Sequence, residues 1–262
     1  IDAGANYSCA LLDNGAVKCW GANVKGQLGI DNNTTMGDGS GEMAQLTGIN
    51  LGTGRTATAI SVGYQHTCAL LDNASVKCWG RNNYGQLGIG TTDNMGDNSG
   101  EMAQLTGINL GTGRTATVIA AGGNHSCALL DNASVKCWGS NVNGQLGIDN
   151  NTAMGDGSGE MAQLTGINLG TGRTATAISV GVQHSCALLD NGAVKCWGYN
   201  WHGQLGIGNI THMGDGSGEM AQLTGINLGT GRTATAISVG HQHTCALLDN
   251  ASVKCWGLNS NG

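Results

Sequence analysis

The sequence predicts an all-β repeat protein, and three observations carry that prediction. The ten cysteines fall at 9, 19, 68, 78, 127, 137, 186, 196, 245 and 255, in pairs ten residues apart that recur every 59 residues. Each repeat holds short runs rich in β-branched residues that end at glycine, as strands do. Between two of these runs lies a three-residue Asp-Asn-Gly or Asp-Asn-Ala loop, the length and chemistry of a tight hairpin. A fixed period of this size marks a solenoid, a propeller or an array, whose units bury their faces only against one another.

One unit shows the elements in order. Arg55 to Val62 reads as a first strand, His66 to Leu71 as a second and Ser75 to Trp79 as a third. Asp72-Asn73-Ala74 joins the last two, and Ala44 to Leu51 is expected to supply a fourth strand. Gly26 to Gly29 and Met36 to Gly41 read as turns and loops. The linking segment is nearly invariant: residues 36–59, 154–177 and 213–236 are identical, and 95–118 departs only at Asn98 and Val118. The chain thus reads as one repeat domain with units 1–59, 60–118, 119–177 and 178–236 and a partial unit 237–262. Neither end resembles a cap, so a piece of a longer repeat chain is expected. The alternative is that the last partial unit pairs with the N-terminal end and closes a ring.

Hairpin register makes the cysteines specific. With Asp13-Asn14-Gly15 as the loop, Leu12 faces Ala16, Leu11 faces Val17, Ala10 faces Lys18 and Cys9 faces Cys19. Directly opposed side chains have Cβ atoms ~4.5–5.5 Å apart, near disulfide range. The expected bridges are Cys9–Cys19, Cys68–Cys78, Cys127–Cys137, Cys186–Cys196 and Cys245–Cys255, which would place the protein in an oxidising compartment. Two alternatives stay open: reduced core cysteines, and a metal held by His66, Cys68 and Cys78 on one strand face. Zinc sites carry a short Cys-x₂₋₄-Cys knuckle that is absent here. The Asp-Asn-Ala copies pose a difficulty, since alanine resists the left-handed backbone that glycine adopts freely. Either Ala74 is strained or the register shifts.

Composition excludes several functions. Charged residues are 11% of the chain, against roughly 25% in an ordinary domain, and the net charge is -6. The 11 Lys and Arg are spread along the chain without a basic cluster, so no nucleic-acid groove is expected. No run approaches the ~18 consecutive apolar residues of a membrane helix. Proline is absent and glycine numbers 47, without the every-third-residue spacing of collagen.

The run from Gly63 through His66-Thr-Cys-Ala-Leu, then Val76-Lys-Cys-Trp-Gly-Arg-Asn-Asn-Tyr-Gly-Gln-Leu-Gly88, resembles the regulator of chromosome condensation repeat in its cysteine-containing form. The pattern recurs five times along essentially the whole chain, with Tyr7 in place of histidine in the first copy. The resemblance implies a β-propeller of four-stranded blades, usually seven, and seven units of this size exceed the 262 residues here. The family often has proline before the linking strand, where this chain has Glu42-Met-Ala-Gln-Leu46. In such a fold Trp20, Trp79, Trp138, Trp197 and Trp256 fill the wedges between blades. His66, His125, His184 and His243 are expected to donate to nearby backbone carbonyls, and Lys18 and its counterparts to give solvated or aliphatic cover.

Polar residues repeated four or five times are poor material for one asymmetric active site, and no cofactor and no enzymatic activity are expected. Asp38 and Glu42, like Asp97 and Glu101, alternate in glycine-rich loops and are calcium candidates. The completing Asp31 and Asn33 become Gly90 and Thr92 in the next copy, and the rival reading is that these acids cap amides or pair with Arg55. Against the constant scaffold, change is confined to three patches: the pair before each histidine, the residues around Asn23, Asn82, Asn141 and Asn200, and the stretch 31–35 with its counterparts. Tyr64, Arg81, Tyr84, Tyr199, Trp201, His202, His212 and His241 are the binding candidates there, since aromatic, histidine and arginine side chains in loops of a rigid scaffold suit recognition. Asn-x-Ser/Thr sequons, among them Asn73, Asn132 and Asn250 at hairpin tips, are glycan candidates in a eukaryotic secretory setting. The expected function is an extracellular scaffold that binds a protein or glycan. The alternative is a subunit of a self-assembling filament or surface layer, and a nucleotide-exchange or chromatin role ranks last.

Overall fold

The computed structural model describes residues 1–260. Its five sheets among the described residues each hold three antiparallel strands in sequential order. The first contains β1 (Asp2–Ala3), β2 (Tyr7–Leu11) and β3 (Val17–Gly21). The second contains β4 (Ala57–Val62), β5 (His66–Leu71) and β6 (Val76–Gly80). β7 (Ala116–Ala121), β8 (His125–Leu130) and β9 (Val135–Gly139) make the third. β10 (Ala175–Val180), β11 (His184–Leu189) and β12 (Val194–Gly198) make the fourth, and β13 (Ala234–Val239), β14 (His243–Leu248) and β15 (Val253–Gly257) the fifth. The first strands contact one another in sequence, β1 to β4 to β7 to β10 to β13. Their C-terminal ends, with Gly4, Gly63, Gly122, Gly181 and Gly240, line one open cavity of about 410 Å³. Five equivalent segments around one cavity make the sheets radial blades on a common axis, not steps of a linear solenoid.

The hairpin register is the expected one. Cys9 is opposite Cys19, Ala10 opposite Lys18 and Leu11 opposite Val17, and all five predicted disulfides are present. The paired Cα atoms are 4.0–4.1 Å apart, close to the spacing of non-hydrogen-bonded cross-strand pairs. No cysteine is left to hold a metal. The alanine difficulty resolves as strain: Ala74, Ala133 and Ala251 sit at φ 60–62°, and the register holds.

The four-stranded blade and the expected strand at Ala44 to Leu51 are corrected. That segment instead opens with a helical turn, α1 (Glu42–Gln45), repeated as α2 (Glu101–Gln104), α3 (Glu160–Gln163) and α4 (Glu219–Gln222). What remains of a fourth strand is one bridge, Gly21 to Met36, and one bond from Ile49 N–H to Val17 C=O at 2.9 Å. Gly48, Asn50 and Gly52 interrupt the segment with residues that strands disfavour.

Blades are joined through the predicted tryptophans. Trp79, Trp138 and Trp197 are fully buried. Their indole N–H groups donate to Gln27, Gln86 and Gln145 carbonyls of the preceding unit at 3.0–3.1 Å. Each indole removes roughly 150–250 Å² from water, worth ~4–6 kcal/mol as an upper bound. His66, His125 and His184 do not reach carbonyls as expected; they cross to the next blade's hydroxyl. His66 Nε2 lies 2.9 Å from Ser126 Oγ, His125 Nε2 2.9 Å from Ser185 Oγ, and His184 Nε2 2.9 Å from Thr244 Oγ1. Each hydroxyl gives its proton to a glutamine carbonyl, as Ser126 does to Gln86 at 2.9 Å. The hydroxyl therefore accepts, and the histidine carries its proton on Nε2. The lysine expectation is likewise revised: Lys136 and Lys195 are buried, and Lys136 Nζ donates to the Leu110 carbonyl at 2.9 Å.

The fifth blade is open. Leu247 and Val253 are 40% and 62% exposed, where the equivalent Leu70 and Val76 are 7% and 0%.

Candidate functional site

The three variable patches lie on one face. The β4–β5 turn and the end of β6 meet where Arg81 N–H donates to Gln65 C=O at 2.8 Å. Ser140 to Asn124, Tyr199 to Gln183 and Leu258 to Gln242 repeat that bond in the later blades. The third patch joins them through the buried asparagines: Asn82 Nδ2 donates to Thr91 C=O at 2.7 Å and Asn200 Nδ2 to Asn209 C=O at 2.9 Å. The hairpin tips are at the other end of each second strand. That face repeats Arg55–Asp72, Arg114–Asp131, Arg173–Asp190 and Arg232–Asp249 pairs at 3.3–3.4 Å, and at its tips the units differ only among Gly, Ala and Ser. Exposed pairs of this kind contribute ~0–1 kcal/mol each.

On the variable face the candidates form three groups. Tyr64 and His241 line the axial cavity. In the second blade Arg81 lies over the Tyr84 ring, 5.7 Å from its centroid, and reaches Gln65 Oε1 at 3.4 Å. In the fourth blade Tyr199, Trp201, His202 and His212 come together. Ring centroids of Tyr199 are 5.6 Å from Trp201, 5.0 Å from His212 and 6.1 Å from His202, and Trp201 is 5.8 Å from His212. His212 is held in place because its Nδ1 accepts from Asn200 N–H at 3.1 Å. Trp201 remains 66% exposed. Sequence reasoning missed Ile210, which is exposed two residues before His212; its signal is an aliphatic residue where the other units have Asn33, Thr92 and Asn151.

The acidic loops are engaged by backbone. Glu42 Oε2 accepts from Gly37 N–H at 2.7 Å and Gly39 N–H at 2.8 Å, and the Gly39 and Gly37 amides hold its carboxyl below the usual range. Glu101 Oε2 accepts from Gly96, Asp97 and Asn98. Asp38 and Asp97 sit in the same loops, and among the described residues no three His, Cys, Asp or Glu side chains converge as a metal site. Asp31 caps the neighbour instead, accepting from Met102 N–H of the next unit at 2.9 Å. The buried histidines are neutral: burial pushes His66 and His184 down to about 4 and His125 to about 3.

Comparisons with known proteins agree with this geometry. The regulator of chromosome condensation (RCC1) repeat model matches residues 1–27, 57–86, 117–145, 175–204 and 234–262. The human probable E3 ubiquitin-protein ligase HERC6 is 31% identical over 79% of this chain and 19% of its own length. The Arabidopsis thaliana ultraviolet-B receptor UVR8 is 28% identical over 100% of this chain and 53% of its own. This chain therefore spans from about a fifth to about half of those relatives. The structure of yeast RCC1 (Prp20) bound to Kap60 superposes with a TM-score of 0.70 at 21% identity, covering 96% of this chain and 54% of that one. With the repeat model matching more than half its residues, the chain belongs to the RCC1 repeat family.

Proposed function

We propose that the protein is a non-enzymatic binding scaffold that presents its variable face to a protein partner outside the cell. The observation that carries this is the segregation of variation. Changes among aromatic, charged and large polar side chains lie on one face, while the hairpin face varies only among Gly, Ala and Ser and repeats the same Arg–Asp pairs. A structural array has no need of a different side chain in each blade; a recognition surface does. The yeast relative in complex with Kap60 is consistent with protein binding on this fold. The five disulfides favour an oxidising compartment, and among the described residues no helix is long and apolar enough to cross a membrane.

The test is a photo-crosslinking amino acid placed at position 84 or 201, compared with one at Asn132 on the hairpin face. A partner from the protein's native extracellular fluid should crosslink at 84 or 201 and not at 132. Capture should be lost in Tyr199→Ala/Trp201→Ala with an unchanged melting temperature. Crosslinking only at 132, or capture indifferent to the double change, refutes the reading.

A further inference from the structure

The geometry points to a carbohydrate subsite on the fourth blade, in which the exposed face of Trp201 stacks against an uncharged pyranose. This rests on the variable face being a binding surface and goes further by naming the ligand class.

The first argument is charge. From Tyr199 to Met213 there is no Lys, Arg, Asp or Glu. The equivalent stretches elsewhere carry Lys25 and Asp31, Arg81 and Asp93, or Asp149. A phosphorylated, sulfated or otherwise charged ligand would lose its hydration at this loop without gaining an ion pair. A neutral ligand meets no such cost.

The second argument is the shape of the aromatic group. Tyr199, Trp201 and His212 are in mutual contact, with centroids 5.0–5.8 Å apart and planes inclined by 30–45°. Rings this close leave no space between them for an ammonium group, so they are not a cage for a methylated lysine. They form a supported platform, in which Tyr199 and His212 buttress the indole and leave its face to solvent. The axial C–H groups of a hexopyranose present a flat, weakly positive apolar face, complementary to the negative face of an aromatic ring.

The third argument is the rim. Asn209 Nδ2 and the Thr211 hydroxyl make no hydrogen bond within the described structure; Asn209 Oδ1 accepts from Thr211 N–H at 2.9 Å. Both residues are exposed. With Nε2 of His212, the ring nitrogen that Asn200 N–H does not engage, they offer donors and acceptors for ring hydroxyls, the pairing that orients a sugar on its stacking partner.

One platform with few hydrogen bonds corresponds to a dissociation constant of ~1 mM. The experiment titrates the intact, disulfide-bonded protein with cellohexaose, chitohexaose and mannohexaose. Hexagalacturonate serves as the charged probe. Binding is read by tryptophan fluorescence and by saturation-transfer NMR. At least one neutral hexasaccharide should bind saturably. Trp201→Ala should weaken it at least tenfold, and Arg114→Ala on the opposite face should leave it unchanged. Added salt should have no effect, because no ion pair is formed. If no neutral hexasaccharide gives a Trp201-dependent signal, or if hexagalacturonate binds more tightly than all three, the sugar assignment is overturned. A protein partner that still crosslinks at position 201 in that case leaves the wider binding role standing; loss of both removes both.

Discussion

Acid should destabilise this protein well above the pH at which its carboxylates titrate, because of three histidines locked between blades. His66, His125 and His184 each donate from Nε2 to a hydroxyl of the next blade and bury an Nδ1 that no protein group engages. Their ordinary value of 6.5 falls to about 4, about 3 and about 4 by burial. Below pH 6.5 the unfolded chain takes up protons that the native core refuses, so stability present at neutral pH is lost as pH falls toward the folded values. From pH 7 to pH 5 each histidine removes about 2 kcal/mol, and the three together roughly 5–6 kcal/mol. That is a large part of a typical stability of ~5–15 kcal/mol, and it corresponds to a melting drop on the order of 10–20 °C. Glu42, held below its usual value by the Gly39 and Gly37 amides, contributes only at lower pH. The first blade supplies the control. Tyr7 occupies the histidine position, and its hydroxyl donates to the His66 carbonyl at 2.6 Å. The variant His66→Tyr/His125→Tyr/His184→Tyr should therefore lose most of the pH dependence. The assay is the guanidinium midpoint at pH 7, 6 and 5 without reductant. Equal slopes in the two proteins, or a flat profile in the wild type, would refute the argument.

Other perturbations test single junctions. Ser61 Oγ and Ser179 Oγ accept from Ala121 and Val239 N–H of the following blade at 3.0 Å, but the equivalent residue facing Val180 is Ala120. Ala120→Ser should add ~0.5–1.5 kcal/mol, seen as a higher melting temperature; no rise counts against the missing bond. Replacing Ala74, Ala133 and Ala251 by glycine, as Gly15 and Gly192 stand in the other hairpins, relieves a left-handed alanine that costs about 1–2 kcal/mol against the entropy that glycine loses on folding. Each change should raise the midpoint slightly, and a fall would show that the loops are not strained. In the Cys245–Cys255 bridge Cys255 is exposed, while the other four bridges are buried. Timed dithiothreitol treatment, alkylation and peptide mapping should find it reduced first; simultaneous reduction of all five would contradict the exposure argument.

What could be read in the sequence was the interior of a unit. Cys9 opposite Cys19 follows from a loop length and a count along two strands, and local pattern suffices for it. The expected fourth strand is absent because Gly48 and Asn50 interrupt Ala44 to Leu51 and deny it a ladder. Contacts between units were less legible. His66 with Ser126, Trp79 with the Gln27 carbonyl and Asp31 with Met102 N–H join residues far apart in sequence. Nothing local marks these pairs, although the Trp–Gln bond recurs at four junctions, the His–hydroxyl contact at three and the Asp–Met bond at two. The variable residues were identifiable one by one, but their gathering on a single face, and the stacking of Tyr199, Trp201 and His212, emerge only in three dimensions.

The Gln–Trp junction also bears on how such a chain can change length. Each blade is attached to its neighbour by a carbonyl and an indole that are the same at every step, and the acceptor is backbone, indifferent to which side chains surround it. Excising one 59-residue block, or duplicating one, leaves every remaining seam with its proper partner. Unequal recombination within the coding repeat can thus lengthen, shorten or reorder the set of displayed loops without any need to redesign the interior.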